Sequence, residues 1–148
     1  MQPIEPTGPW RFAALDVETA NSAADSICQI GVALVGFDNR IQTWVSYVNP
    51  RVAFSPFNIR VHGIGPDHVA DAPDFARALA PIERLLAGQP VIQHSSFDQR
   101  AIAGACAALG RPAPAWRWGD SVRIARRAWP EFRGCGGHGL AHLKERLD

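Results

Sequence analysis

The chain has 148 residues, 47% hydrophobic and 20% charged, with three cysteines and a formal net charge of +1. That length suits one domain with a substantial core, and the small net charge excludes a whole-molecule field that would gather a polyanion. No apolar run approaches the roughly 18–20 residues of a membrane span, and Met-Gln-Pro-Ile-Glu-Pro-Thr-Gly-Pro lacks the basic-then-apolar order of a secretory signal.

In chain order, residues 1–10 are expected to be an N-terminal extension, with a single domain over 11–148. Residues 11–17 predict a first strand, 27–36 a second and 41–48 a third, the last two joined by the turn chemistry of Asp38-Asn39. Connections this short make an antiparallel meander. Pro50, Pro56, Gly63, Gly65 and Pro66 then punctuate a long irregular stretch, and loops of that length are often functional. From Asp71 the period turns helical, with Phe75, Leu79, Ile82 and Leu86 on one face, Asp71 or Asp74 as cap and Gly88 as stop. Pro81 inside that pattern predicts a kink or two short helices.

Residues 90–93 predict a short buried strand, Phe97 to Leu109 a helix closed by Gly110, and 115–119 a last strand. A helix from Ser121 to Trp129 ends at Pro130, and residues 139–147 form a final amphipathic helix. The order implies an α/β fold, a mixed sheet with helices packed on it. Cys28 and Cys106 fall in apolar patterns and Cys135 stands alone; three cysteines without a metal-binding cluster point to reduced thiols in a cytoplasm.

Two carboxylates close the first strand. Asp16 and Glu18 are one residue apart, so in a strand they project side by side from one face. Like charges held that close need protons or cations between them, and hard divalent ions take carboxylate oxygens. The alternative is a strand end whose acids simply face water. Asp98 has two readings also: an acid favoured by the helix dipole in a first turn, or a third ligand brought to the strand ends.

Charge separates along the chain. Residues 1–99 carry six Arg against ten acidic residues (net −4), and residues 100–148 carry nine Lys and Arg against four (net +5). This suits a phosphate-bearing substrate, although ordinary solvated surface gives the same pattern. Arg123, Arg126 and Arg127, with Trp116, Arg117 and Trp118 before them, could meet a phosphate backbone or simply form a helix's polar side.

Phe-Ala-Ala-Leu-Asp-Val-Glu-Thr-Ala-Asn, Asn-Ile-Arg-Val-His-Gly-Ile and His-Ser-Ser-Phe-Asp, in that order and spacing, resemble the DEDD exonuclease superfamily. The nearest group in it holds the proofreading epsilon subunit of bacterial DNA polymerase III and RNase T. The resemblance implies an RNase H-like fold, with a five-stranded mixed sheet (three antiparallel strands, then parallel ones) flanked by helices. It implies 3′–5′ exonuclease activity of the DEDDh type on single-stranded DNA or RNA ends, with two Mg²⁺ or Mn²⁺ ions about 3.5–4 Å apart assisting phosphodiester hydrolysis. Asp16, Glu18 and Asp98 would be the catalytic, metal-binding acids, and Val17, Thr19, His62, Gly63, Ile64 and Phe97 would line the terminal-nucleotide pocket. A DNA polymerase is an implied partner. Phe97 and His62 carry packing readings as well, and His68 and His94 are left open.

The chain departs from the family pattern at three places. His94 stands where the second motif usually has Asn, and Ala20-Asn21 follow Thr19 where Thr-Gly is usual. The third motif, His-x4-Asp, is not present: the residues five beyond His138 and His142 are Leu143 and Leu147. The Tyr base of the other branch is missing too, because the one tyrosine is Tyr47 in the third strand. The expectation is a C-terminally shortened domain of weak or no activity. Its rivals are a non-catalytic nucleic-acid-binding module and a structural or partner-binding domain.

Overall fold

Ten residues of alternating burial make β1, Trp10–Thr19, pair antiparallel along its length with β2, Ile27–Gly36, which pairs in turn with β3, Ile41–Tyr47. The computed structural model describes residues 9–134 and 136–148. Residues 1–8 of the expected N-terminal extension, and Cys135, lie outside the described residues. The remaining strands, β4 (Pro90–Gln93) and β5 (Arg117–Asp120), add parallel to the other edge of β1. The sheet order β3-β2-β1-β4-β5 is the five-stranded mixed sheet expected from the sequence.

One face of the sheet carries the core. Ala13, Leu15 and Val17 lie opposite Leu34, Val32 and Ile30 in register. They are covered by Leu79 and Ile82 of α3 (Phe75–Leu85) and by Ala101, Ile102 and Cys106 of α4 (Phe97–Ala108). Each fully buried aliphatic side chain contributes about 1.5–3 kcal/mol, which makes these two helices the main cover of the sheet. Cys28 and Cys106 are buried free thiols, as their apolar context implies.

The stretch read as irregular holds two short helices, α1 (Pro56–His62) and α2 (Pro66–Val69). Their signals are local. Ser55 Oγ accepts from the Phe57 N–H, Pro56 stands at the first position, and Gly63 ends α1 with φ 76°. No residue of α1 is buried, so no apolar period announced it.

Pro81 does not split the pattern into two helices: α3 is one helix, capped by Asp74, whose Oδ1 accepts from Arg77 N at 3.0 Å. Pro81 removes a single backbone donor, while Leu79 and Ile82 on either side of it are fully buried and hold both halves on the sheet.

Beyond β5 come α5 (Ser121–Ala128), a 3₁₀ turn at Pro130–Phe132 and α6 (Leu140–Leu147). Trp116 and Trp118 pack edge to face, ring centres 5.6 Å apart, against the main core, so their role is packing. Arg117 donates to the Gly88 carbonyl at 3.1 Å. Among the described residues no helix is long and apolar enough to cross a membrane.

Candidate active site

Asp16 and Glu18 occupy the face of β1 opposite Leu15 and Val17, as strand parity requires. The surrounding protein strips water from both carboxyls and raises their pKa values. For Glu18 the Asp16 charge raises it further.

Asp98 reaches the same end of the sheet from the first turn of α4. The chain turns from β4 into α4 through Ser95, held at φ 94°, a conformation that costs a non-glycine residue of order 1–3 kcal/mol. Asp98 is 3% exposed, and its Oδ1 accepts from the Val17 N–H at 2.9 Å. Burial is the main force pushing its carboxyl up to about 6; the Asp16 and Glu18 charges add to it and the Val17 N–H opposes it. Glu18 and Asp98 therefore feel the Asp16 charge, and Asp98 that of Glu18 as well, as the metal reading requires.

Among the described residues, no group of three or more His, Cys, Asp or Glu side chains is gathered tightly enough to hold an ion by itself. The donor set still fits a hard divalent cation. The carboxylates repel one another, and the ion pairs found among the described residues, Arg40–Asp38 and Arg111–Glu83, do not involve them. Mg²⁺ is usually bound through one or two carboxylates, with waters and substrate phosphates completing the shell, so no closed protein cage is needed.

The residues assigned to the nucleotide pocket divide. His62 Nδ1 accepts from Ile64 N at 3.0 Å, so its other ring nitrogen carries the hydrogen and donates to the Thr19 carbonyl at 3.0 Å. Asn58 donates to the same carbonyl at 2.9 Å. These contacts tie α1 to the end of β1 and use both nitrogens of His62. Gly63 is the left-handed cap of α1. Ile64 is buried in a small cluster with Ala20, Cys28 and Val69, and Val17 and Thr19 are buried as well. Phe97 is 38% exposed beside Asp98, so it is a surface ring and not a core one. Burial pushes the Cys28 thiol up to about 11, keeping it protonated and inert.

Of the other histidines, His68 Nδ1 accepts from the Gly65 N–H at the start of α2. His138 contacts the Trp129 carbonyl at 2.8 Å and, like His142, packs on Phe132. Arg123, Arg126 and Arg127 are exposed on α5.

Two participants escaped sequence reasoning. Asn58 lies one helical turn before His62, a spacing that carries meaning only once α1 is known to be a helix. Ser121 opens α5, where its hydroxyl donates to the Gln93 carbonyl at 3.0 Å and lies 2.8 Å from His94 Nδ1. No periodicity links residues 27 apart.

The sequence profile of the exonuclease family matches residues 13–148. The chain is 27% identical over 140 residues to DNA polymerase III PolC-type from Oceanobacillus iheyensis, covering 93% of this chain and 10% of that protein. To the PolC-type polymerase of Caldanaerobacter subterraneus subsp. tengcongensis it is 28% identical over 102 residues, 67% of this chain and 7% of that one. It thus spans a tenth or less of the curated relatives it matches. Among solved structures, exonuclease X in complex with 5′ overhanging duplex DNA aligns over 92% of this chain and 73% of its own, with TM-score 0.70 and 24% identity. A full-length 3′-exonuclease aligns over 95% of this chain and 53% of its own, with TM-score 0.80 and 18% identity. These structural likenesses establish the fold. Taken with the profile match across almost all of the sheet and helices, they mean that this chain belongs to the exonuclease family.

Proposed function

We propose that this domain is a 3′–5′ exonuclease that hydrolyses phosphodiester bonds at single-stranded DNA or RNA ends with Mg²⁺ or Mn²⁺. The observation that carries the reading is the Val17 N–H to Asp98 Oδ1 bond, which joins a third acid to the strand between Asp16 and Glu18, where the Asp16 charge raises the pKa of both other acids. Acids placed so that one raises the pKa of its neighbours are arranged for a cation and not for the fold's own stability. When bound, divalent ions would activate a water and neutralise charge on the scissile phosphate.

The chain's own residues supply the rest. Asp16, Glu18 and Asp98 would hold the ions, and the Val17 N–H fixes the Asp98 carboxylate at the strand that carries the other two. Phe97 offers an exposed ring on which a terminal base can stack, a contact worth about 1–3 kcal/mol that tolerates any base. Val17, Thr19, His62, Gly63 and Ile64 shape the wall behind it, with His62 and Asn58 fixing the strand end. The free, buried thiols of Cys28 and Cys106 support action in a reducing cytoplasm. The likeness to PolC-type polymerases supports work alongside a DNA polymerase.

The test is hydrolysis of a 3′-labelled single-stranded oligonucleotide with Mn²⁺ or Mg²⁺, comparing the native sequence with Asp16→Ala. Weak divalent-dependent release of mononucleotides, in keeping with the missing His-x4-Asp, that is lost in Asp16→Ala is the expected result; turnover retained in Asp16→Ala would move the site elsewhere. One observation favours a second reading, a nucleic-acid-binding module without catalysis: His62 has both ring nitrogens engaged by the protein. That reading predicts oligonucleotide binding that is indifferent to divalent ions.

A further inference from the structure

The face of the sheet that carries Asp16 borders an open groove of about 400 Å³, whose lining includes Ala14, Gly31, Ala33, Val45 and Ile92. At its polar end the groove is bordered by Asp16, His94 and Ser121. Register explains why these three meet. Ala14 of β1 lies beside Ile92 of β4, and Gln93 lies beside Asp120 of β5. Two residues beyond Ala14 is Asp16, two beyond Ile92 is His94, and the residue after Asp120 is Ser121. The three gather past one end of the three neighbouring parallel strands.

The imidazole among them has a fixed orientation. A serine hydroxyl has one hydrogen, and Ser121 gives it to the Gln93 carbonyl at 3.0 Å. The contact between Ser121 Oγ and His94 Nδ1, at 2.8 Å, therefore has His94 donating. The hydrogen sits on Nδ1, which leaves Nε2 with a lone pair and, among the described residues, no hydrogen-bond partner. An imidazole that donates one ring N–H to an anchored oxygen and presents the other nitrogen to a cleft is the arrangement that orients a metal-binding histidine.

We propose that His94 Nε2 is a nitrogen ligand to the divalent cation held at Asp16, with Ser121 as the residue that orients it. The proposal rests on the reading of Asp16 as a cation-holding acid and adds a donor of different chemistry. Carboxylate, water and phosphate oxygens suit Mg²⁺, whereas an imidazole nitrogen favours first-row transition ions over Mg²⁺, Mn²⁺ being the weakest bound of them. Asp16 and His94 together with water and a substrate oxygen make an incomplete protein shell, as a site that must admit a phosphate requires.

The experiment is cation binding to the full chain without nucleic acid. Mn²⁺ titrations by calorimetry, and pulsed electron paramagnetic resonance of the bound ion, would be run on the native protein, His94→Ala, Ser121→Ala and Asp16→Ala. Folding of each is checked by circular dichroism. The proposal expects coupling of bound Mn²⁺ to a ¹⁴N nucleus in the native protein, lost in His94→Ala. It also expects Mn²⁺ affinity to drop about tenfold or more in His94→Ala and by about 10-fold in Ser121→Ala, with Mg²⁺ affinity changing less. Bound Mn²⁺ that shows no nitrogen coupling in the native protein overturns the proposal without needing any variant. Loss of binding in Asp16→Ala with unchanged affinity in His94→Ala also overturns it, and leaves the acidic site standing. A native chain that binds neither ion overturns the proposal and the reading beneath it together.

Discussion

Val17 and Asp98 are 81 positions apart, yet the Val17 main-chain N–H donates to Asp98 Oδ1 at 2.9 Å. Beyond the end of β4 this strand amide meets a carboxylate in place of a strand partner. The bond holds a buried acid near two others, and burial outweighs it, so the carboxyl titrates near 6 instead of 3.8.

That imbalance sets a pH dependence of stability. Over the window from about 4 to about 6 the folded chain holds the Asp98 proton while the unfolded chain has released it. The group's contribution is therefore greatest below about pH 4 and declines as pH rises through 6. At about 1.36 kcal/mol per unit, the loss is on the order of 3 kcal/mol. Asp98→Asn removes this slope and is expected to be the more stable form at pH 7 without metal, by about 2–3 kcal/mol. Urea unfolding of both proteins at pH 4.5 and 7 checks it; a constant difference between the two at both pH values would contradict it.

Cation binding should follow the same titration with opposite sense. A protonated Asp98 cannot ligate, so Mn²⁺ affinity is expected to rise with pH through about 6 and to level off above 7. Calorimetry at pH 6 in buffers of different ionisation enthalpy should show proton release on binding. Affinity that does not change between pH 5 and 7 would mean that Asp98 takes no part.

The clamp at Thr19 should behave as a unit. Asn58 and His62 both donate to its carbonyl, and His62→Ala also leaves the Ile64 N–H without its acceptor. His62→Ala is expected to cost about 1–3 kcal/mol. Because the two side chains share one acceptor, the costs of Asn58→Ala and His62→Ala should fail to add by about 0.5 kcal/mol or more. A double-mutant cycle by denaturant unfolding measures this, and strict additivity would show that the two bonds are independent.

Pro81 is tolerated in α3 at a cost that a single substitution can recover. Pro81→Ala restores a helical N–H facing the Arg77 carbonyl and is expected to stabilise the protein by about 1–3 kcal/mol. A lower unfolding midpoint for Pro81→Ala would show that the proline ring packs better than this account allows.

The sheet was legible before any coordinates because its information is local. Alternation in residues 11–17, the apolar run at 27–36 and the turn at Asp38-Asn39 each point to one structure, and the observed strands lie where they indicate. Asp16 and Glu18 were legible as a pair for the same reason, since strand parity alone puts them side by side. Helix α1 was not legible: with no buried residue it has no apolar period, and its caps are single residues. At Pro81 local geometry counts against a continuous helix, whereas the core contacts of Leu79 and Ile82 decide for one.

Strand and helix periods, read along the chain, established a mixed sheet and two acids on one face of its first strand. Which distant groups join those acids was decided by the parallel alignment of β1, β4 and β5, which brings Asp98, His94 and Ser121 to a single sheet end. The physical reason is range: parity and propensity act over a few residues, whereas burial, charge coupling and hydrogen bonds such as Ser121 to Gln93 act between groups that only the closed fold makes neighbours.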